Sequence, residues 1–167
     1  MNENNSALQS VLIVYNPDKA NALDVARQSE SILRQAGIQI RIHPYEPRET
    51  DEQDRLLESA KECDAIVVLG GDGTILGVVR QLASSPKPLL GINLGGFGFL
   101  TSCAIHELNA ALQCLIERRW QIQNRYLLET SVVRSLGGEK EEVFRSLALN
   151  EALLTRSHPG RLMEIWL

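Results

Sequence analysis

The first hundred residues alternate between short apolar runs and longer segments whose apolar residues recur every three or four positions. The apolar runs lie at residues 11–17, 38–43, 64–71 and 87–93. The periodic segments lie at residues 22–36, 52–61 and 75–82. Short apolar runs predict buried strands, whereas the spacing of three and four predicts amphipathic helices.

The run at 64–71, DAIVVLGG, carries apolar side chains at successive positions rather than at alternating ones. This is typical of a parallel strand that is covered on both faces. Strands that alternate with helices at this spacing form repeated βα units. We therefore predict an α/β fold for residues 1–100, with an open, mostly parallel sheet and helices on both faces.

The pattern changes after Thr101. One further helix is predicted at 105–116, and strand-like pieces without intervening helices follow it. They are YLLETSVVR at 126–134, VFRSLALNEALLTR at 143–156 and RLMEIWL at 161–167, with a Gly137-Gly138 turn after the first. These pieces predict the incomplete start of an antiparallel, β-rich second domain over residues 101–167. Because the strand pattern is still running at Leu167, we expect the chain to be the front part of a longer protein.

The composition argues against several classes of protein. Of the 167 residues, 44% are hydrophobic, which favours a packed core over disorder. The formal net charge is −4, so a broad basic surface for nucleic acid is not expected. We expect no signal peptide at the polar start, and no apolar run reaches the roughly 18 residues of a membrane span. Cys63, Cys103 and Cys114 form no CxxC pair, which predicts reduced thiols and a cytoplasmic protein.

A glycine-rich turn, GGDGT at 70–74, stands between the most strand-like run and the next predicted helix. In open α/β sheets, ligands bind beyond the carboxyl ends of the strands. Glycines at such an end permit positive φ angles and let a ligand approach the bare backbone. We expect the amides of Gly71, Gly73 and Thr74 to point at an anion, and Thr74 is also a candidate cap for the helix.

Asp72 is the unusual member of this turn, because a carboxylate among phosphate-facing amides repels a phosphate. The residue type suits two kinds of chemistry: holding Mg²⁺, or accepting a proton from an attacking hydroxyl. The turn matches neither the P-loop nor the G-x-G-x-x-G dinucleotide fingerprint. The structural alternative is a tight strand-to-helix turn in which Asp72 is a local cap.

Three motifs carry a resemblance to a known family. GGDGT resembles the signature of a kinase superfamily that comprises NAD kinases, diacylglycerol and sphingosine kinases and, more distantly, phosphofructokinases. GINLGGFGFLTS at 91–102 and ALNEALLTR at 148–156 resemble segments of the NAD kinases in particular, in the same order. VYNPDKANA at 14–22 and NRYLLE at 124–129 are weaker matches to the same family.

This resemblance implies transfer of a phosphoryl group from ATP, or from inorganic polyphosphate, to the 2′-hydroxyl of the adenosine ribose of NAD, which yields NADP. It implies a nucleotide-binding first domain, a substrate-binding second domain, a Mg²⁺-dependent site with no metal ligand assigned, and a homodimer or homotetramer at full length. Asp72 would accept the ribose proton or orient that hydroxyl. The implied contacts to substrate and nucleotide are Gly71, Gly73, Thr74, Asn93, Phe99, Leu100, Asn150, Glu151 and Arg156.

The sequence departs from the family pattern in two ways. The family continues with an Asp-Gly segment and a Thr-Pro-Thr-Gly-Ser-Thr-Ala-Tyr run, neither of which occurs here, and Ser102 stands where an acidic residue is common. We therefore expect these residues alone to be inactive. Two alternatives stay open: a lipid kinase of the same superfamily, although its Gly-Thr-x-Asn-Asp pattern is lacking, and a fragment that binds nucleotide without turnover.

The histidines receive no functional role from the sequence. His43, His106 and His158 have no partners at catalytic or metal-ligand spacing. We therefore predict that all three lie on the surface or in loops.

Overall fold

The computed structural model describes residues 8–96, 98–136, 138–153 and 155. The chain divides into two compact units, Met1–Asn124 and Arg125–Leu167. No helix in the described part of the chain is both long enough and apolar enough to cross a membrane.

The first unit contains a five-stranded parallel sheet with strand order β2-β1-β3-β4-β5. Its strands are β1 (Ser10–Tyr15), β2 (Gln39–Pro44), β3 (Ala65–Gly70), β4 (Leu89–Asn93) and β5 (Cys103–Ala104). Its helices are α1 (Ala22–Gln35), α2 (Glu52–Ala60), α3 (Asp72–Gln81) and α4 (Leu108–Ile116). The predicted α/β class is confirmed, and this strand order is one of the two common orders of doubly wound sheets.

The central strands β1 and β3 are covered on both faces. All six residues of β3 and the four middle residues of β1 are buried. The chain moves in one direction along the sheet from β1 to β2 and in the other from β2 to β3. Because parallel crossovers are right-handed, α1 and α2 lie on opposite faces. Helix α4 joins α1, and α3 joins α2, so each face has a pair of helices.

The first unit extends beyond the boundary at residue 100 that the sequence analysis places. Strand β5 pairs with β4, and α4 buries Leu108, Leu112 and Leu115 in the core that α1 also lines. The helix predicted at 105–116 therefore completes the α/β unit, because its apolar stripe packs against the face of the sheet that α1 leaves partly uncovered.

The described part of the second unit is an antiparallel hairpin of β6 (Leu128–Leu136) and β7 (Glu139–Ala148). This agrees with the predicted antiparallel pairing. Strand β7 ends earlier than the strand predicted over 143–156, so Asn150 and Glu151 follow the strand instead of lying within it. The strand predicted at 161–167 lies outside the described residues.

The prediction for His43 is wrong, because this residue is only 5% exposed. Its Nε2 lies 3.1 Å from Glu52 Oε1 and its Nδ1 lies 3.2 Å from Ser59 Oγ, and both partners are on α2. Glu52 Oε1 also accepts a hydrogen bond from the backbone of Glu46. The pair thus holds α2 and the preceding loop against β2. His106 is exposed as predicted, and His158 lies outside the described residues.

Tyr45, in the loop after β2, packs against α3 at Gly77. A methyl group built on Gly77 would overlap the Tyr45 hydroxyl and lie 2.8 Å from its ring carbon Cζ. Burial raises the pKa of the Tyr45 phenol, and the charge of Glu52 adds to this, against the opposing charge of Arg80. This contact fixes α3, whose first turn is GGDGT, against the β2–α2 loop.

We expect Gly77→Ala to lower the free energy of unfolding by about 1–3 kcal/mol, because the added methyl overpacks the contact with Tyr45. The matched control is Gly73→Ala in the same helix, where nothing lies within 4 Å of an added Cβ. Denaturant titration followed by circular dichroism measures both. Equal stabilities of the two variants would contradict the packing described here.

Candidate active site

The carboxyl ends of β1 and β3 meet at the point where the sheet reverses its direction of winding. The backbone N–H of Asn16, just after β1, donates to the carbonyl of Leu69 in β3 at 2.9 Å. The Asn16 side chain donates from Nδ2 to Thr74 Oγ1 at 3.2 Å, which links the end of β1 to α3. Ligands of open α/β sheets bind at such a switch point. Asn16 was missed in the sequence analysis, although it lies in the weakly matching segment 14–22.

The glycines of the GGDGT turn act through close approach and not through positive φ angles. Among the described glycines, positive φ occurs at Gly37 and Gly138, whereas Gly71 has φ −126°. A Cβ on Gly70 would lie 2.5 Å from Thr74 Oγ1. Nothing lies within 4 Å of a Cβ built on Gly71 or Gly73, so the backbone there is open to a ligand.

Thr74 differs from its predicted roles. Its amide donates to the Gly71 carbonyl at 3.0 Å, so that N–H is used inside the turn and does not face an anion. The N-cap of α3 is Gly71, without a side-chain hydrogen bond, and Thr74 is buried two residues after the first residue of the helix. Asp72 and Gly73 are the first two residues of α3. Their backbone N–H groups have no carbonyl acceptor within the helix, so they are the donors available to an anion.

Asp72 binds a distant loop. Its Oδ2 accepts the backbone N–H of Phe99 at 2.7 Å, and its Oδ1 accepts that of Leu100 at 3.1 Å. The alternative of a purely local cap therefore does not describe this side chain. The structure brings Asp72 and the predicted residues Phe99 and Leu100 together, although they lie in different predicted motifs.

Asn93, at the end of β4, holds the other side of the same loop. Its Oδ1 accepts the N–H of Gly95 at 2.8 Å, and its Nδ2 donates to the Gly96 carbonyl and to Thr101 Oγ1. The side chain is buried and its amide group is hydrogen-bonded within the loop, so it shapes the loop. Phe99, by contrast, is 98% exposed.

Gly98 lies at the most crowded point of the site. A Cβ there would lie 2.5 Å from Asp72 Oδ1, 2.7 Å from Thr101 Oγ1 and 2.9 Å from Asn93 Nδ2. Only a residue without a side chain lets the loop reach Asp72. The sequence contained this glycine within GINLGGFGFLTS, but nothing in the pattern showed which glycine of that segment is required.

The remaining predicted residues belong to the second unit. Asn150 and Glu151 are exposed and follow β7 directly. Arg156 lies outside the described residues. Within the described ranges, no group of three or more histidine, cysteine, aspartate or glutamate side chains could hold a metal ion.

Comparison with known proteins agrees with this arrangement. Residues 11–120 match the family model of the ATP-NAD kinase N-terminal domain. The chain belongs to the NAD kinase family. The matched residues contain the switch point, the GGDGT turn and the loop that Asp72 binds, so the resemblance seen in the sequence is confirmed.

Relatives in the NAD kinase family are longer than this chain. The NAD kinase of Heliobacterium modesticaldum is 34% identical over 160 residues, which are 95% of this chain and 55% of that protein. The NAD kinase of Cupriavidus pinatubonensis is 40% identical over 108 residues, which are 65% of this chain and 34% of that protein. The chain therefore spans about half, or less, of the length of the NAD kinases that it matches.

A crystal structure of yeast NADH kinase complexed with NADH is similar in fold, with a TM-score of 0.67 and 20% sequence identity. The match covers 87% of this chain and 48% of that one. At this level of identity the similarity concerns the fold alone.

We expect Gly98→Ala to expose the amides of Phe99 and Leu100 to hydrogen exchange. The added methyl would force the loop away from Asp72, and both hydrogen bonds would lengthen or break. Gly96→Ala is the control in the same loop, because nothing lies within 4 Å of its Cβ. Amide exchange followed by NMR measures both variants, and unchanged protection of the two amides in Gly98→Ala would show that the loop is not held by Asp72.

Proposed function

We propose that the chain is part of an NAD kinase that transfers a phosphoryl group from ATP, or from inorganic polyphosphate, to the 2′-hydroxyl of the adenosine ribose of NAD. The product would be NADP. The observation that carries the proposal is the carboxylate of Asp72, held at the switch point of a family-matched domain and beside open glycine backbone.

Asp72 has the chemistry to accept the proton of the attacking hydroxyl. An ionised carboxylate offers about four lone-pair positions, and the amides of Phe99 and Leu100 use one on each oxygen. The free positions suit a ribose hydroxyl, which must lose its proton as the phosphoryl group transfers. The two backbone hydrogen bonds fix the orientation of the carboxylate, so little reorganisation is needed at the moment of transfer.

The surroundings of Asp72 suit a nucleotide. The open backbone at Gly71 and Gly73, beside the first amides of α3, suits phosphate oxygens. The exposed Phe99 ring offers a flat apolar surface to a base or to nicotinamide, and Leu100 lies next to it. Independently of these surroundings, the family resemblance implies that Asn150 and Glu151 would bind the substrate ribose and Arg156 a phosphate.

Magnesium would enter this reaction with the nucleotide. Mg²⁺ prefers one or two carboxylates together with water and substrate phosphates, and does not need an all-protein cage. Among the described residues, no group of three or more histidine, cysteine, aspartate or glutamate side chains could hold the ion, so no protein ligand is assigned to it. We therefore assign Mg²⁺ to the ATP complex as part of the donor substrate.

The proposal also implies substrates, an oligomeric state and a cellular location for the protein. The substrates would be NAD and ATP, and the full-length protein would be a homodimer or homotetramer without nucleic-acid or membrane partners. The three cysteines are free thiols, and burial raises the pKa of Cys63 and of Cys103, which keeps both protonated and weakly nucleophilic. Free thiols suit a reducing compartment, so the protein would be cytoplasmic.

A lipid kinase is the second candidate, since a putative diacylglycerol kinase from Bacillus anthracis also shares the fold, with a TM-score of 0.51 and 19% sequence identity. The match covers 81% of this chain and 45% of that one. A phosphorylation assay with ATP separates the candidates when NAD and diacylglycerol vesicles are offered in parallel. The proposal expects NADP and no phosphatidic acid; the reverse result would replace it, and nucleotide binding without product would favour the non-catalytic alternative.

In the protein expressed from its natural reading frame, we expect Asp72→Asn to lower kcat by roughly 10²–10⁴-fold, because an amide cannot accept the ribose proton. Asp54→Asn, on the exposed side of α2, is the control. An NADP-specific coupled assay measures both. Near-normal turnover of the Asp72→Asn variant would remove Asp72 from the chemistry.

We expect the double change of Asn150 and Glu151 to alanine to raise the Kd for NAD more than the KM for ATP. The physical reason is the loss of hydrogen bonds to the acceptor ribose, each of which contributes about 0.5–1.5 kcal/mol. Calorimetric titration with NAD and donor kinetics measure the two effects. Unchanged NAD affinity would show that Asn150 and Glu151 do not bind the ribose of NAD.

A further inference from the structure

Lys19 lies in a tight turn that is anchored to the GGDGT segment. Its backbone N–H donates to the Asn16 carbonyl at 3.1 Å, and the N–H of Asp18 donates to Asn16 Oδ1 at 2.9 Å. Asn16 in turn donates to Thr74 of α3. The backbone of Lys19 is therefore held in a defined position relative to the glycine turn.

The side chain of Lys19 crosses the carboxyl end of β3. A Cβ built on Gly95 would lie 3.8 Å from Lys19 Nζ and 3.8 Å from Asn93 Oδ1. Lys19 follows β1 and Gly95 follows β4, and β3 lies between these two strands. Because neighbouring strands are about 4.8 Å apart, the ammonium has moved roughly two strand spacings from the end of β1. The ammonium thus lies near the loop after β4, and the side chain passes the end of the strand that leads into GGDGT.

No carboxylate neutralises this ammonium in the described part of the chain. The ion pairs there involve other basic residues, and neither Asp18 nor Asp72 pairs with Lys19. The carboxylate of Asp72 binds the amides of Phe99 and Leu100 instead. Lys19 is exposed and therefore presents a charge with three N–H donors beside Gly95.

We propose that the Lys19 ammonium binds the phosphate chain of the phosphoryl donor. The inference rests on the proposed function and adds a residue to it. A lysine binds phosphate as a compact point charge, and phosphoryl transfer requires that the negative charge of the donor be offset. We assign the donor and not NAD to Lys19 because the proposed function gives the acceptor hydroxyl to Asp72, and the donor carries the longer phosphate chain.

Three variants of the protein expressed from its natural reading frame test this proposal: Lys19→Ala, Lys19→Arg and the control Lys61→Ala. Lys61 is an exposed lysine at the end of α2, away from the switch point. Calorimetric titration with inorganic tripolyphosphate, ATP and NAD gives the affinities, and thermal unfolding checks that each variant is folded.

We expect Lys19→Ala to bind tripolyphosphate and ATP about tenfold more weakly than the unmodified chain, as for the loss of one charge-assisted contact. Lys19→Arg should retain most of the affinity, because it keeps the charge, and Lys61→Ala should retain all of it. The affinity for tripolyphosphate should also fall with added salt more steeply in the unmodified chain than in Lys19→Ala.

Equal binding of tripolyphosphate by Lys19→Ala and Lys61→Ala would overturn the inference, and so would a loss confined to NAD or an unmodified chain that does not bind tripolyphosphate. These outcomes are separate from the fate of the proposed function. Tripolyphosphate binding that depends on Lys19, without NADP formation, would support the phosphate contact and contradict the proposed NAD kinase activity. NADP formation with an unchanged KM for ATP in Lys19→Ala would support the proposed kinase activity and overturn the phosphate contact of Lys19.

Discussion

The site depends on one interaction, the acceptance of two backbone N–H groups by the carboxylate of Asp72. These hydrogen bonds join the first residue of α3 to the loop after β4. They require Gly98, because any side chain there would occupy the space of Asp72 Oδ1. A movement of the loop after β4 would therefore also change the contacts of the Asp72 carboxylate and the position of Phe99.

This arrangement of loop and carboxylate lies at the switch point of the sheet, where the topology favours a ligand site. Reversal of the winding direction between β1 and β3 leaves two strand ends with no helix crossing between them. Asn16 spans this gap by its hydrogen bond to Thr74, and Lys19 extends across it toward Gly95. The same turn of chain thus fixes α3 from one side and carries the Lys19 ammonium, which pairs with no carboxylate in the described part of the chain.

The second face of the sheet supports the site indirectly. The buried pair of His43 and Glu52 holds the β2–α2 loop, and Tyr45 from that loop packs on Gly77 of α3.

The hairpin of the second unit has two different faces. Arg145 pairs with Glu129 and Glu142 on one face. Val132 and Phe144 are paired on the other face and are exposed. Such an apolar face on a two-stranded sheet needs a cover for stability.

The sequence by itself determined the α/β class, the order of the elements, the position of GGDGT between β3 and α3, and the family, because each of these depends on local periodicity or on contiguous motifs. The tertiary structure alone decided the contacts between motifs: Asp72 with Phe99 and Leu100, Asn16 with Thr74, and His43 with Glu52. It also decided that α4 belongs to the first unit and that the turn glycines allow close approach instead of positive φ. The physical reason is that hydrogen bonds between distant segments depend on strand order and loop path, which no local pattern specifies.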